Sequence, residues 1–221
     1  CKIVLDSFPK MMSLCSQFQK NLFPMIGLHP CDVHQNWESI ISELQAQYQP
    51  NTFIAVGETG IDLYWDKSTL DWQKEAFKTQ IKWAKEWKLP VVIHARESTA
   101  EILEILDENM GEDLTGIFHC FSGNESEAKR IMEYKTFKLG IGGSVTYKNS
   151  SLPSILKNIP LSYIVLETDS PFLPPTPHRG KRNESSYIPI IGDFVATIYE
   201  IPTKEIAKIT TQNALEIFKF A

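Results

Sequence analysis

Short β-branched or apolar runs alternate with longer amphipathic stretches almost from end to end, and this alternation restricts the chain more than any other feature. The runs are Lys2–Leu5, Leu22–Leu28, Thr52–Gly57, Val91–His94, Gly116–His119, Phe137–Ile141 and Tyr163–Glu167. Between and after them, helical periodicity covers Lys10–Gln19, Asn36–Gln47, Leu70–Trp87, Ser98–Asn109, Asn124–Glu133, Ser151–Lys157, Tyr187–Tyr199 and Lys204–Phe218. Ser98-Thr99-Ala100-Glu101 has the form of a capping box, Asn124 or Ser126 suits the next N-cap, and Thr203 the last. Such alternation implies a parallel sheet, because parallel neighbours need a crossover long enough to hold a helix. No Gly/Ser/Pro linker divides the chain, so one domain over residues 1–221 is expected.

Two parallel architectures compete. An open doubly wound sheet would want a Gly-rich phosphate turn of the G-x-G-x-x-G kind, and none occurs. A closed (β/α)8 barrel needs eight strands and typically about 250 residues, whereas seven runs and 221 residues are present. The expected fold is therefore α/β, a TIM (β/α)8 barrel lacking its first βα unit. The start inside an apolar run at Cys1, without an initiator Met, agrees with that.

Composition narrows the function. The chain has 22 Lys+Arg against 27 Asp+Glu, a net charge of −5, which argues against holding nucleic acid by bulk electrostatics but leaves local or metal-borne phosphate binding open. There is no transmembrane-length apolar run and no signal-peptide pattern. Cys1, Cys15, Cys31 and Cys120 have no metal-knuckle spacing, which suggests free, mostly buried thiols and a cytoplasmic setting.

In a barrel, chemistry sits at the C-terminal strand ends and the loops that follow. Those positions read Gly27-Leu28-His29-Pro30, Gly57-Glu58-Thr59-Gly60-Ile61-Asp62, His94-Ala95-Arg96, His119-Cys120-Phe121-Ser122-Gly123 and Glu167-Thr168-Asp169-Ser170-Pro171. A lone histidine at a strand end is usually structural, and an acidic residue after a strand usually caps a helix. Convergence is the argument here: two histidines and two carboxylates from different strands suit one Zn²⁺, or two ions bridged by Glu58. The one local basic cluster, Pro177–Glu184, follows the last strand, and its arginines, like Arg96, suit an anion. Trp72, Trp83 and Trp87 at helical spacing are expected to pack rather than to stack on bases.

Taken in order, these motifs and Pro-His-Arg-Gly-Lys-Arg-Asn-Glu resemble the TatD family of metal-dependent deoxyribonucleases over residues 1–219. The resemblance implies a TIM barrel related to the amidohydrolase superfamily, one or two divalent ions (Zn, Mn or Mg) and DNA, single-stranded or at duplex ends, as substrate. It implies Glu58, His94, His119 and Asp169 as metal ligands and His29 as a further active-site residue. Asp169, lying on the metal, is expected to be the general base, with Glu58 and His29 also catalytic. Arg179, Arg182 and Glu184 fall in the family's signature loop and, with Arg96, are expected to bind substrate. One departure stands out: many members open with Asp-x-His-x-His, and no His-x-His occurs here. The same scaffold could serve an amide, lactone or phosphotriester hydrolase, or a barrel without activity. A cytoplasmic monomer with no obligate protein partner is expected.

Overall fold

A computed structural model describes residues 2–111 and 113–218. Eight helices, α1 (Lys2–Gln17), α2 (Trp37–Gln47), α3 (Leu70–Trp87), α4 (Thr99–Asn109), α5 (Glu125–Met132), α6 (Leu152–Leu156), α7 (Ile188–Tyr199) and α8 (Thr203–Ile217), accompany six strands among the described residues. The strands are β1 (Met25–Ile26), β2 (Ala55–Asp62), β3 (Val91–Arg96), β4 (Gly116–His119), β5 (Phe137–Ile141) and β6 (Ile164–Leu166). They form a parallel sheet whose strand order equals chain order. That succession belongs to the (β/α) barrel and not to a doubly wound sheet, where the order reverses at a switch point.

Six strands stand where seven were expected. The run Lys2–Leu5 is the first turn of α1, not a strand. With Phe8, Met11, Met12 and Cys15 it belongs to a longer 3.6-residue period, and length arbitrates where a short apolar run alone is ambiguous. Cys1 lies outside the described residues. The second expected strand shrinks to two residues: Pro24 has no N–H to donate, and the Leu28 N–H goes to the Gln80 side chain at 2.7 Å instead of a ladder partner. The third grows through Asp62, because pairing with β3 resumes after a register shift between Val56 and Thr59.

The chain divides into two compact units, one running to Gly116 and the other Ile117–Ile217. In the first, Ile26, Val56, Ile61, Val91 and Ile93 of the strands meet Phe77 and Ile81 of α3 and Ile102 and Leu106 of α4, all fully buried. Two buried glutamines share the same face of α3, seven residues apart. Gln80 grips Leu28 at both backbone groups and Gln73 does the same for Asp62. In the second unit the core gathers Phe118 and Phe137, edge to face at 5.8 Å, with Leu139, Ile164 and Val195. Phe77 is 0 % exposed, so Phe77→Ala is expected to lower stability by about 3–5 kcal/mol in urea unfolding, through lost burial and the cavity left behind.

The helix signals were partly met. Asn124 caps α5 in a reciprocal capping box with Glu127. Ser98 makes no such cap: its hydroxyl donates to the Ile61 carbonyl at 2.6 Å and accepts the Arg96 N–H at 3.1 Å, tying β2 to β3. Thr203 is the first helical residue of α8, and its hydroxyl goes to Asp193. Trp83 and Trp87 pack, Trp87 stacking on Tyr48 at 3.8 Å, whereas Trp72 is 41 % exposed. Cys15, Cys31 and Cys120 are free, but none is buried, contrary to expectation. Among the described residues no helix is long and apolar enough to cross a membrane.

Candidate metal centre

In the first unit, β2 and β3 carry the site. Glu58 falls in the register shift, where an irregular strand re-aims its side chain. Gly60 follows at φ +140°, where a Cβ would run into the His94 carbonyl, so only glycine lets the strands close here. His94 then sits between two carboxylates: its Nδ1 lies 2.9 Å from Glu58 Oε1 and its Nε2 2.8 Å from Asp62 Oδ2. His29, at the end of the segment after β1, brings Nε2 to 3.6 Å from the same Glu58 oxygen, its ring edge-on to His94 at 4.6 Å. His29 Nδ1 accepts the Cys31 N–H at 3.1 Å, which leaves Nε2 turned toward Glu58.

Asp62 ends the Gly57–Asp62 motif but lies outside the residues the sequence points to as ligands, and it is central. Only 2 % exposed, it accepts the N–H groups of Tyr64 and Trp65 on Oδ1 while Oδ2 faces His94. Burial pushes its carboxyl up, but the hydrogen bonds from His94, Trp65 and Tyr64 outweigh that and leave it below its ordinary value. For His94, burial acts to lower the pKa; hydrogen bonds and charge from Glu58, then Asp62, outweigh it and raise the pKa. The reason is geometric: an imidazolium donates to both carboxylates at once, a neutral ring to only one. Partial burial, then the negative charge of Asp62, holds the nearby Cys31 thiol up to about 12.

A raised pKa has a definite consequence. The His94 contribution to stability is fully present below its ordinary value of 6.5 and is lost as pH rises through the raised one. Thermal melting in EDTA should therefore show that contribution fading with rising pH. With saturating divalent metal the trend should reverse, because ligation takes the neutral ring.

In the second unit the same construction recurs. His119, at the end of β4, has Nδ1 2.9 Å from Glu167 Oε2 and Nε2 3.3 Å from Asp169 Oδ1. Glu167, also missed in the sequence, spends its other oxygen on the Cys120 N–H. Gly140 of β5 makes room for it, since a Cβ there would strike the Glu167 carboxylate. Cys120 and Asp169 hold left-handed backbone, φ +48° and +57°, a conformation costly for non-glycine residues and concentrated at functional sites.

Two donor sets result: His29, Glu58 and His94, and separately His119, Cys120 and Asp169, each with ligand atoms within 4.8 Å of one another. Imidazole and carboxylate donors at this spacing fit a divalent cation. His94 and His119 also have the outer partner that metal-bound histidines keep, Asp62 on Nε2 of His94 and Glu167 on Nδ1 of His119. The other ring nitrogen is left facing the donors.

The expected substrate residues divide. Arg96 ends β3 and stacks on the Tyr64 ring at 3.7 Å. Arg179 lies over Tyr147 at 4.1 Å, and burial raises the pKa of that phenol. Arg182 and Glu184 are exposed, and among the described residues neither joins a donor set. Asn183 between them is buried and donates to the Thr168 and Phe172 carbonyls, pinning the loop beside Asp169.

Fold and donors together define an α/β protein whose strand ends carry candidate metal ligands. A family model described as TatD related DNase matches residues 1–219, and the chain belongs to that family. The Bacillus subtilis protein named uncharacterized metal-dependent hydrolase YabD is 41 % identical over 199 residues, 90 % of this chain and 78 % of that one. The Escherichia coli protein of the same description, YcfH, is 32 % identical over 193 residues, 87 % of this chain and 72 % of its own. The crystal structure of YjjV, a TatD homologue from Escherichia coli, superposes with a TM-score of 0.86 at 28 % identity, covering 98 % of this chain and 83 % of its own.

Proposed function

We propose that this TatD-family metal-dependent hydrolase cleaves phosphodiester bonds of DNA, acting as a cytoplasmic monomer. The observation that supports the reading best is the repeated histidine held between two carboxylates, one of them fixed by backbone N–H groups. Glu58 and His94 in the first unit, with His29 beside them, and His119 with Asp169 in the second are the side chains that would hold divalent cations. When bound, such an ion supplies positive charge against the phosphoryl oxygens and lowers the pKa of water from about 15.7 to about 7.

The chain's own groups do the rest. Asp62 and Glu167 hold the two imidazoles with the correct nitrogen presented. The Asp169 carboxylate, 3.3 Å from His119 Nε2, accepts the proton of the attacking water as general base. Arg179, kept in place on Tyr147, and Arg182 in the same loop present guanidinium groups to the charge that grows on the phosphoryl oxygens. Two arginines in one loop suit an anionic substrate better than a neutral amide or lactone.

The test sets single-stranded DNA, a small amide and a lactone before the purified chain in the presence of Mn²⁺, Zn²⁺ or Mg²⁺. Turnover of DNA above the neutral substrates is expected. Turnover of the amide or lactone with DNA untouched would replace this reading with the amidohydrolase one.

A further inference from the structure

We propose that Tyr64, Trp65 and Arg96 form a nucleotide subsite that stacks one base of a single-stranded DNA substrate and holds its phosphate. This deepens the nuclease reading and rests on it. The Arg96 guanidinium lies 3.7 Å from the centroid of the Tyr64 ring and 5.5 Å from that of Trp65. The two rings meet edge to face at 5.0 Å and 90°. All three are on the surface, Tyr64 at 51 % and Trp65 at 70 % exposure. Among the described residues no carboxylate forms an ion pair with Arg96; the neighbouring surface pair is Lys67 with Glu97. A planar cation with one face on a ring keeps its N–H edge for an anion, and an open indole offers a face to any base. One nucleotide carries both groups within reach of the pair.

The rings are not on a loose loop. The Tyr64 and Trp65 N–H groups donate to Asp62 Oδ1 at 2.9 and 3.1 Å, and the other oxygen of that carboxylate faces His94. One buried side chain therefore fixes the donor set and the stacking surface in the same turn. Arg96 is fixed from the other side: it pairs with Asp62 in the sheet register, and its N–H goes to the buried Ser98 hydroxyl. A stacked base here would be located relative to His94 without any further contact.

Fluorescence anisotropy in EDTA, where no strand is cut, tests this with a labelled thymidine oligonucleotide and an abasic strand of equal length. The wild-type chain is expected to bind the base-bearing strand roughly tenfold more tightly. Trp65→Ala and Tyr64→Leu should erase that preference and leave abasic binding within about twofold, with Trp65→Phe restoring most of it. Arg96→Ala should weaken both strands alike. Unchanged melting temperatures would show that the variants fold. A preference that survives Trp65→Ala, or a wild-type chain that does not tell the strands apart, overturns the subsite. DNA hydrolysis without base preference sinks the subsite and spares the nuclease reading. Base preference lost in Trp65→Ala, in a chain that hydrolyses no DNA, does the reverse.

Discussion

His119→Ala and Asp169→Asn are each expected to lower metal-dependent DNA hydrolysis by more than about a hundredfold, since even the outer partners of ligating residues are worth 10–100-fold. His119 joins Glu167 to Asp169, so its removal takes a donor and leaves two carboxylates without the ring between them. Asp169→Asn keeps size and left-handed preference, because asparagine tolerates φ +57° well. It loses the negative charge needed both to hold a cation and to accept a proton. Nucleotide release with saturating Mn²⁺, together with melting temperature, separates chemistry from folding. An Asp169→Asn variant that hydrolyses DNA at the wild-type rate would exclude it as base and ligand.

Asp62 carries the second large effect, and two substitutions there should part company. Asp62→Ala removes a buried acceptor of three hydrogen bonds and leaves the Tyr64 and Trp65 N–H groups unmatched. A loss of roughly 3 kcal/mol in urea unfolding is expected, with metal affinity falling about 10–100-fold in calorimetric titration with Mn²⁺. Asp62→Asn can still accept both backbone groups on its carbonyl, so most of the stability should return. Its amide would now donate to His94 Nε2 and force the proton onto Nδ1, the nitrogen that faces Glu58. Metal affinity should therefore stay low in the asparagine variant. Wild-type affinity in Asp62→Asn would show that Asp62 is structural only.

The sequence was legible where one period dominated. The ranges of α3, β4 and β5 coincide with the sequence reading, because each is long or strongly patterned and bounded by turn residues. Lys2–Leu5 misled because four residues cannot separate a buried strand from the first turn of a helix. Histidines and carboxylates at strand ends were visible as residue types. Which nitrogen of His94 or His119 is held, and by what, is a property of the packed state. A weaker signal was available: Glu58 and Asp62 are four apart, and Glu167 and Asp169 two apart, spacings that put both members of each pair on one face of extended chain. Gln73 and Gln80 carry a similar signal that the sequence reading left unused, as polar residues on the apolar face of α3, where a glutamine is kept only if its amide is bonded. Ser98 illustrates the opposite case. Its local pattern fitted a cap, but the Ile61 carbonyl came within reach only once β2 and the β3–α4 turn had packed.

The chemistry proposed for this chain is metal-dependent hydrolysis of a phosphodiester through Glu58, His94, His119 and Asp169. The most direct measurement is nucleotide release from single-stranded DNA by the purified chain, first in EDTA and then after Mn²⁺, Zn²⁺ or Mg²⁺ is restored, with Asp169→Asn run beside it. No release in EDTA, recovery with metal, and no recovery in the variant are expected. Undiminished release in EDTA, or none with any of the three metals, would contradict it.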